Sequence, residues 1–506
     1  MWQKDCLFRV LGHCVWLLVF FTLITGTGAF AAPAAEFRPD QILIQPKKNV
    51  SATALARFHA LRKSQVLKRF PTLGRLQVLK VPKGETVASL IAKYRQSGLV
   101  EFAEPDYFVH ANAAPNDPFF VDGTQWWLNN TGQDGGTPGA DISAVRAWDV
   151  LNSATNIVVA VLDSGIRSTH QDLAPNMWVN PLDGSHGFNA FTGNNDAEDD
   201  DGHGTLVAGV LGAFGNNGLG VCGVAWRVQL MSCKCLDNAG NGSDSTVVEC
   251  MDFARTNGAR VMNCSFGATN ASFAVSNAVE AAREAGIIIV ASCGNGFAFS
   301  PHVNVDEHPQ YPACFPMDNI LSVAYTDRSN HLGSLSYYGP TNVDLAAPAT
   351  QICSTAYGSD SNYFVSTPAF NIEGTSFAAP QVSAACALML AKYPAENYQQ
   401  IIARILKATD PLPSLQGLCV SGGKLNLLKA LSPPINLAAV PATNGSPFEL
   451  EVTSGANRTC MIQFSTDLLT WSPLFTNTTD TNGIFDFPDP DSANAPQRFY
   501  RAVAAP

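Results

Sequence analysis

From Asn156 onward, continuous apolar segments alternate with segments of helical periodicity. Five of the apolar segments are long enough for strands: "IVVAVLD" (157–163), "QLMSCKC" (229–235), "ARVMNCS" (259–265), "GIIIVASCG" (286–294) and "ILSVAYT" (320–326). Strands that are apolar throughout are buried on both faces, which requires helices on each side of a parallel sheet. The alternation therefore predicts an α/β domain with a parallel sheet flanked by helices.

The pattern of predicted strands and helices changes on both sides of this domain. Residues 36–112 combine strand-like and helix-like segments and predict a small α+β domain, joined to the rest by the proline-bearing linker "HANAAPNDP" (110–118). Residues 435–506 contain short alternating strands separated by Gly, Asn, Asp and Pro, which predicts a small all-β sandwich. The α/β domain is expected to occupy residues 115–433.

The first 31 residues have the pattern of a secretory signal peptide. Lys4 and Arg9 precede the apolar stretch 15–24, and "GAFAA" (28–32) offers a cleavage site after Ala31. No later apolar stretch reaches the roughly 18 residues that a membrane span needs. We expect a secreted protein with no membrane insertion.

The charge is divided unevenly along the chain, whose net charge is −11. Residues 36–112 hold 13 Lys and Arg against 6 Asp and Glu, whereas residues 113–506 hold 16 against 35. A basic domain beside an acidic one predicts mutual attraction. Nucleic-acid binding is not expected, because the basic segment has no aromatic-interleaved basic motif.

The cysteines do not form a disulfide framework or a metal-binding pattern. Two of the 13 cysteines fall in the signal segment, and the other 11 are scattered, many of them inside apolar runs. We expect most of them to be buried thiols, with one or two disulfides.

Four polar residues occur at predicted junctions between strands and helices. Asp163 ends a strand, His203 opens a helix, Asn295 follows a strand and Ser376 opens the last long helix. A nucleophilic serine needs a base, the base needs an orienting carboxylate, and the developing oxyanion needs hydrogen-bond donors. Because reactive groups gather at the strand ends of such sheets, these residues are candidates for the four roles.

Pro380 limits where the last helix can begin. A proline is tolerated in the first turn of a helix, where its missing N–H has no partner anyway. Since Pro380 lies four residues after Ser376, we expect the helix to begin near Ser376. The alternative role of Ser376 is that of an ordinary helix cap.

The segments around these four residues resemble the motifs of the subtilisin-like serine proteases, the subtilases. The matching segments are "VAVLDSG", "DGHGTLVAG", "GN" and "GTSFAAP", and the resemblance runs from about Gln125 to Ala430. It implies a serine endopeptidase acting on proteins or peptides, with Asp163 orienting His203, His203 as base and acid, and Ser376 as nucleophile. Asn295 and the Ser376 backbone N–H would bind the oxyanion. One position departs from the family: Leu206 replaces a common histidine, and we interpret it as packing.

The resemblance also assigns a role to the N-terminal domain. Residues 36–112 look like the inhibitor-type prodomain of subtilases, an intramolecular inhibitor that the enzyme removes by autoproteolysis. The segment 101–111 would then lie in the active-site cleft as a product. A monomer is expected.

The resemblance places substrate-binding segments at 264–267 and 292–295, with Ser265, Phe266 and Gly267 lining the first pocket. No carboxylate is evident in these segments. We therefore expect broad cleavage after apolar or aromatic residues.

Calcium is the expected cofactor, because clustered oxygen ligands suit this hard cation. Asp172, Asn217 and the backbone of Leu219 and Val221 match a common calcium site of the family. The acidic stretch "NNDAEDDDG" (194–202) is a second candidate. For both, the alternative is a solvated loop.

Two other classes of function stay open at this point. The fold could serve a non-catalytic binding protein targeted by residues 435–506, although four catalytic-type residues argue against that. An esterase of the α/β-hydrolase type shares the triad logic but needs Gly-x-Ser-x-Gly and the order Ser, Asp, His, and this chain has neither.

Overall fold

The protein is described here from a computed structural model covering residues 37–107, 114–297, 302–367, 371–433, 435–440, 448–454, 458–480, 483–489, 491–492 and 497–504. The predicted signal peptide and residues 108–113 of the predicted inhibitory tail and linker lie outside these ranges. The chain divides into two compact units, residues 109–434 and a second unit made of residues 1–108 and 435–506. No helix of the described residues is long and apolar enough to span a membrane.

The N-terminal region forms the small α+β fold predicted from the sequence. Its elements are β1 (Phe37–Pro46), α1 (Ala52–Leu61), β2 (Val66–Phe70), β3 (Leu76–Lys80), α2 (Val87–Gln96) and β4 (Val100–Tyr107). The strands pair antiparallel in the order β2-β3-β1-β4. Ser51 and Thr86 start the two helices by accepting hydrogen bonds from backbone N–H groups in the first turn. Ile42, Leu79 and Leu90 are fully buried in its core.

The central region is built around one sheet of nine strands in the order β14-β15-β11-β10-β9-β8-β5-β7-β6. Its strands are β5 (Ser153–Asp163), β6 (Gly187–Asn189), β7 (Arg227–Lys234), β8 (Val261–Cys264), β9 (Ile288–Ser292), β10 (Ile320–Thr326), β11 (Leu345–Pro348), β14 (Asp410–Pro411) and β15 (Gly423–Lys424); a separate hairpin pairs β12 (Cys353–Thr355) with β13 (Tyr363–Val365). All pairs in the sheet are parallel except β14 with β15. The predicted parallel sheet is confirmed.

Helices cover both faces of this sheet, which explains the continuous apolar strands. The helices are α3 (Pro118–Val121), α4 (Ala144–Trp148), α5 (His203–Gly212), α6 (Asp244–Thr256), α7 (Phe273–Glu284), α8 (Thr375–Lys392), α9 (Tyr398–Lys407) and α10 (Leu427–Leu431). Val159 and Val161 of β5 belong to the core shared with α5 and α8, whereas Ala160 and Leu162 belong to the core shared with α6 and α7. Because successive side chains of a strand point to opposite faces, β5 is apolar at every buried position before Asp163, the residue with which it ends.

Helix α8 starts one residue earlier than expected and changes the interpretation of Pro380. The helix begins at Thr375, so Pro380 is its sixth residue and lies beyond the first turn. A proline there cannot donate to the carbonyl four residues earlier, which belongs to Ser376. That carbonyl instead accepts a hydrogen bond from the Ser265 hydroxyl at 2.8 Å. The proline is therefore tolerated through a tertiary contact, and the prediction that it lies in the first turn is wrong.

The C-terminal region consists of two antiparallel sheets of three strands each. The strands are β16 (Asn436–Val440), β17 (Glu449–Thr453), β18 (Thr459–Ser465), β19 (Ser472–Thr478), β20 (Ile484–Pro488) and β21 (Phe499–Ala504). Strand β17 is central in one sheet and β18 in the other. Val452 and Ile462, one from each central strand, are fully buried in a shared core. The predicted all-β character of this region is confirmed.

The cysteines are buried but unpaired. All 11 cysteines from Cys222 to Cys460 lie in the described residues, and each is a buried free thiol. The expectation of one or two disulfides is wrong, whereas the expectation of buried thiols is confirmed. Their positions follow the apolar pattern: Cys233, Cys250 and Cys264, for example, belong to the core beneath α6 and α7.

Candidate active site

Asp163 and His203 form a hydrogen-bonded pair at the end of β5. The Asp163 carboxylate is fully buried, and its Oδ1 lies 2.7 Å from His203 Nδ1. The same oxygen accepts the backbone N–H of Ser164 at 2.8 Å. A carboxylate held in this way fixes the imidazole so that Nδ1 is the protonated nitrogen and Nε2 is left to act as a base.

The acidic stretch before His203 holds the start of α5 in place. Gly202 precedes the helix and has no side chain to cap it, but Asp199 Oδ2 accepts from the Thr205 backbone N–H at 3.0 Å and from its hydroxyl at 2.5 Å. Asp199 Oδ1 accepts from the Ser164 hydroxyl at 2.8 Å. Since Ser164 follows Asp163, one carboxylate ties the end of β5 to the helix that carries His203.

The backbone at Gly204 lies close to the backbone at Gly165, and this allows the short distance between Asp163 and His203. A Cβ atom on Gly204 would lie 2.1 Å from the carbonyl oxygen of Gly165 and 3.1 Å from Asp163 Cβ. No side chain fits in that space. The glycine after His203 is therefore required for α5 to contact the end of β5.

The charges around His203 favour its protonated form. Burial lowers the pKa of His203, but the Asp163 carboxylate, with smaller contributions from Asp201 and Asp199, raises it by more. The net pKa of His203 lies above its ordinary value of about 6.5. The side chain keeps 29% of its surface exposed, so it can reach a substrate.

Ser376 lies in the first turn of α8 and is held against the end of β8. Its hydroxyl donates to the carbonyl of Ser265 at 3.1 Å, and its own carbonyl accepts from the Ser265 hydroxyl. Among the hydrogen bonds of the described residues, none joins Ser376 to His203. Hydrogen bonds between catalytic groups are often long or unformed before substrate binds, so a rotation of the hydroxyl would be needed to form this one.

Asn295 lies next to the start of the same helix. Its side-chain oxygen accepts from the backbone N–H of Thr375 at 2.9 Å and from the Thr375 hydroxyl at 3.2 Å. Because the oxygen is used in this way, the amide NH₂ group remains available as a donor. A Cβ atom on Gly374, whose φ is +145°, would press on the Asn295 amide at 3.2–3.4 Å. The glycine before Thr375 thus leaves room for the amide.

Two of the three predicted substrate-binding residues line a cavity of about 250 Å³, which we call the Phe266 cavity; Ser265 is not among its lining residues. Ser265 is buried, Phe266 is half-buried and Gly267 is exposed. Phe266 and Gly267 line the cavity directly, facing Gly240, Asn241 and Gly242 across it. The lining also includes Val247, Val275 and Phe315, together with the carboxylate residue Asp244.

A second, larger cavity lies beside His203, and we call it the His203 cavity. Its volume is about 780 Å³, and its lining includes Asp201, His203, Leu206, Tyr357, Glu373 and Phe377. Leu206 is half-buried and packs against the core shared with α8. The ring of Phe377 lies 5.6 Å from that of His203.

Of the residues predicted to bind calcium, Asp172, Asn217 and Val221 come together, and the backbone N–H of Leu219 donates to Asn217 Oδ1 at 2.8 Å. Asp172 is fully buried, and its carboxylate accepts from Asn217 Nδ2 at 2.8 Å, the Val221 backbone N–H at 3.1 Å and the Tyr363 hydroxyl at 2.8 Å. A second fully buried carboxylate, Asp117, accepts from the backbone N–H groups of the same loop. Burial raises the pKa of Asp117, and the negative charge of Asp172 adds to the effect.

The second calcium candidate, residues 194–202, has other contacts. Asp199 binds Ser164 and Thr205 as described, Asp201 Oδ1 accepts from the backbone N–H of His203 at 3.1 Å, and Asp200 forms an ion pair with Lys234 at 2.5 Å. Across the described residues, no group of three or more His, Cys, Asp or Glu side chains is arranged to hold a metal. These contacts favour the interpretation of 194–202 as a structural loop.

Several residues that shape the site have no motif-level signal of their own. Lys234 is 4% exposed and donates to the carbonyl of Ser164 at 2.6 Å, so it supports the turn after Asp163. Asn263 donates to the Ser265 hydroxyl at 2.9 Å and thereby orients the group that holds Ser376. Both are polar residues within strand segments that are otherwise apolar. A buried polar residue needs a partner, so its presence in such a segment could have identified these two residues from the sequence.

Two family models match the chain. Residues 154–429 match the model described as "Subtilase family", and residues 25–106 match the model described as "Fervidolysin N-terminal prodomain". The first covers the strands and helices that carry Asp163, His203, Asn295 and Ser376. The second covers most of the N-terminal α+β region.

Characterised relatives span most of the chain. The thermophilic serine proteinase of Bacillus sp. (strain AK1) is 30% identical over 397 residues, which cover 78% of this chain and 87% of that protein. Subtilisin Savinase of Lederbergia lenta is 36% identical over 263 residues, 51% of this chain and 87% of its own length. A solved protease structure from Pseudoalteromonas arctica PAMC 21717 superposes with a TM-score of 0.51 at 26% identity, covering 63% of this chain and 99% of its own.

Proposed function

Because this chain belongs to the subtilase family and is a serine endopeptidase with a fervidolysin-like prodomain, we propose that Ser376, His203 and Asp163 form its catalytic triad. The observation that carries the proposal is the 2.7 Å contact between the buried Asp163 and His203, whose ring lies 5.6 Å from that of Phe377, the residue after Ser376. The enzyme cleaves peptide bonds in proteins. The catalytic domain comprises residues 115–433, between the prodomain 36–112 and an accessory domain 435–506.

The chemical steps follow from the positions of these groups. The Ser376 hydroxyl leaves the carbonyl of Ser265, turns to His203 Nε2 and attacks the substrate carbonyl as His203 takes its proton. The imidazolium is stabilised by the buried Asp163, and it then gives the proton to the leaving amine. Water repeats the sequence on the acyl-enzyme and regenerates Ser376.

The oxyanion is bound by two donors, the backbone N–H of Ser376 and the amide of Asn295. Support for the second donor comes from Thr375, which engages the Asn295 oxygen and leaves its NH₂ group to donate. A donor fixed before the reaction starts stabilises the developing charge without a reorganisation cost.

The substrate main chain lies along Ser265, Phe266 and Gly267. No backbone hydrogen bond joins Phe266 or Gly267 to another part of the described chain. Their free polar groups suit an extended peptide that adds as a strand, which gives affinity with little dependence on sequence.

The prodomain acts as an intramolecular inhibitor and is removed by Ser376 itself. The signal peptide directs export, and the mature monomer works outside the cytoplasm. The charge division between residues 36–112 and the remainder supports attraction between prodomain and enzyme.

Calcium stabilises the mature fold at Asp172, Asn217 and the carbonyls of Leu219 and Val221. The donor chemistry fits: Asp117 and Asp172 are buried carboxylates, and neither forms an ion pair with Lys or Arg in the described residues. A bound cation would neutralise them. EDTA is expected to lower the melting temperature of the wild type and to have no effect on Asp172→Asn; equal melting temperatures of the wild type with and without EDTA would rule the site out.

The function is tested by comparing the wild type with Ser376→Ala. The wild type should digest casein and yield a mature chain that begins between about residues 111 and 117. Ser376→Ala should do neither and should keep its prodomain. Mass spectrometry of the N-termini distinguishes the outcomes, and an identical cut in purified Ser376→Ala would show that another protease performs the maturation.

A further inference from the structure

The His203 cavity adjoins the group that is proposed to protonate the leaving amine. His203 lines the cavity, and it is the group proposed to give its proton to the leaving amine. Ser265, Phe266 and Gly267, which are proposed to bind the acyl part, are absent from its lining. A cavity that borders the proton donor but not the acyl-binding segment suits the chain that departs after bond cleavage.

Two carboxylates without a cationic partner line the same cavity. Glu373 is half-buried, and its Oε2 accepts from the hydroxyl of the buried Tyr325 at 3.3 Å. Asp201 is half-buried and accepts from the His203 backbone N–H. No Lys or Arg lines the cavity, and none forms an ion pair with either carboxylate in the described part of the chain.

The rest of the lining is largely apolar. Leu206, Ile372 and Phe377 provide surfaces for a long aliphatic stem, and a lysine or arginine can bury such a stem while its charged end reaches a carboxylate. An apolar side chain could pack against the same surfaces, but it could not form an ion pair with the carboxylates. An acidic side chain would be repelled, since like charges in a partly desolvated cavity are poorly screened.

We propose that the His203 cavity selects a lysine or arginine side chain just after the scissile bond and that Glu373 is the residue that determines this specificity. The proposal rests on the proposed function, because it assumes an acyl-enzyme at Ser376. Glu373 is placed two residues before the helix that carries the nucleophile, it lines the His203 cavity, and its carboxylate accepts a hydrogen bond from the Tyr325 hydroxyl. Asp201 adds negative charge beside it.

Acyl transfer isolates the leaving-group side from the acyl side. A peptide ester acylates Ser376, and added amino-acid amides then compete with water for the acyl group. The acyl–oxygen bond to Ser376 breaks, an amide bond forms, and the amine proton passes through His203 to Ser376 Oγ. The ratio of aminolysis to hydrolysis therefore measures binding in the His203 cavity alone.

For the wild type, argininamide and lysinamide should give ratios about threefold to fivefold higher than leucinamide, with glutamic acid amide lowest. The preference should fall as salt is added. Glu373→Gln keeps the size of the side chain and an acceptor for Tyr325, but it removes the charge. It should lower the arginine-to-leucine preference about threefold.

Asp244→Asn is the matched control, because it removes a carboxylate from the Phe266 cavity and should leave this preference unchanged. Hydrolysis of the ester without added amine serves as the reference for each variant. Equal ratios for argininamide and leucinamide, or an unchanged preference in Glu373→Gln, would overturn the proposal. If no ester is cleaved and no acyl-enzyme forms, the proposed function itself fails, and the specificity fails with it.

Discussion

The two halves of the proposed active site are held in different ways. On the acid–base side, Asp163 already binds His203 at 2.7 Å, and Asp199 ties both of their segments together. On the nucleophile side, the Ser376 hydroxyl donates to Ser265, and no described hydrogen bond connects it to His203. The fold thus forms the Asp163–His203 pair in advance, whereas the Ser376 hydroxyl must rotate before it can give its proton to His203.

The difference follows from the local chemistry. The imidazolium of His203 needs a fixed counter-charge throughout the reaction, and a buried carboxylate provides one only if its geometry is rigid. The Ser376 hydroxyl must change its hydrogen-bond acceptor from the carbonyl of Ser265 to Nε2 of His203 before it loses its proton. A helix start with a freed carbonyl, as Pro380 creates at Ser376, gives Ser265 a way to hold the backbone while the side chain stays mobile.

The largest effect should come from breaking the acid–base side. Asp163→Asn keeps the shape but removes the charge, and it can leave His203 in the wrong tautomer. The kcat for a peptide substrate should fall about 10⁴-fold with a similar melting temperature, as for the equivalent change in the Ser-His-Asp template. Asp196→Asn, in the same acidic stretch, is the control. A loss below tenfold would mean that the pair does not act as proposed.

A smaller effect is expected on the nucleophile side. Ser265→Ala leaves the Ser376 carbonyl without a partner, because Pro380 has no N–H, and should destabilise the protein by about 1–2 kcal/mol. In Ser265→Ala/Pro380→Ala the restored N–H can bind that carbonyl. The double variant should therefore lose less stability than the two single variants added together. Additive losses, measured by denaturant unfolding, would show that the two residues are not coupled.

The smallest effect concerns the pH profile. The Asp201 charge helps to raise the pKa of His203, and the reaction needs the neutral imidazole. Asp201→Asn should lower the pKa of His203, so the acid limb of kcat/KM should move to lower pH. Asp244→Asn should leave the limb in place. If the acid limb of kcat/KM in Asp201→Asn moved to higher pH, the electrostatic account would be contradicted.

Much of the fold and the main candidates could be predicted from the sequence, because they depend on local patterns. Continuous apolar strands required a covered parallel sheet, and strand ends located Asp163 and Asn295. The contacts that hold the site could not be predicted in this way. Asp199 reaches back to Ser164, 35 residues earlier, and Ser265 reaches Ser376 across 111 residues.

The wrong predictions have the same origin. One or two disulfides are expected because export permits them, but the strands and helices place the thiols among apolar core residues as unpaired groups. The carboxylates of the two cavities were missed because Asp244 and Glu373 are supplied by segments outside those predicted to bind substrate. Which side chains share a cavity is decided by tertiary packing.

The central claim, that Ser376 is the nucleophile activated by His203, is tested most directly by covalent labelling with a fluorophosphonate. The fluorophosphonate reacts with an activated serine, and mass spectrometry of the digested protein locates the adduct. We expect one adduct per mature chain, on the peptide that contains Ser376, and no adduct in His203→Ala at the same exposure. An adduct on a different residue, or equal labelling of His203→Ala, would contradict the account.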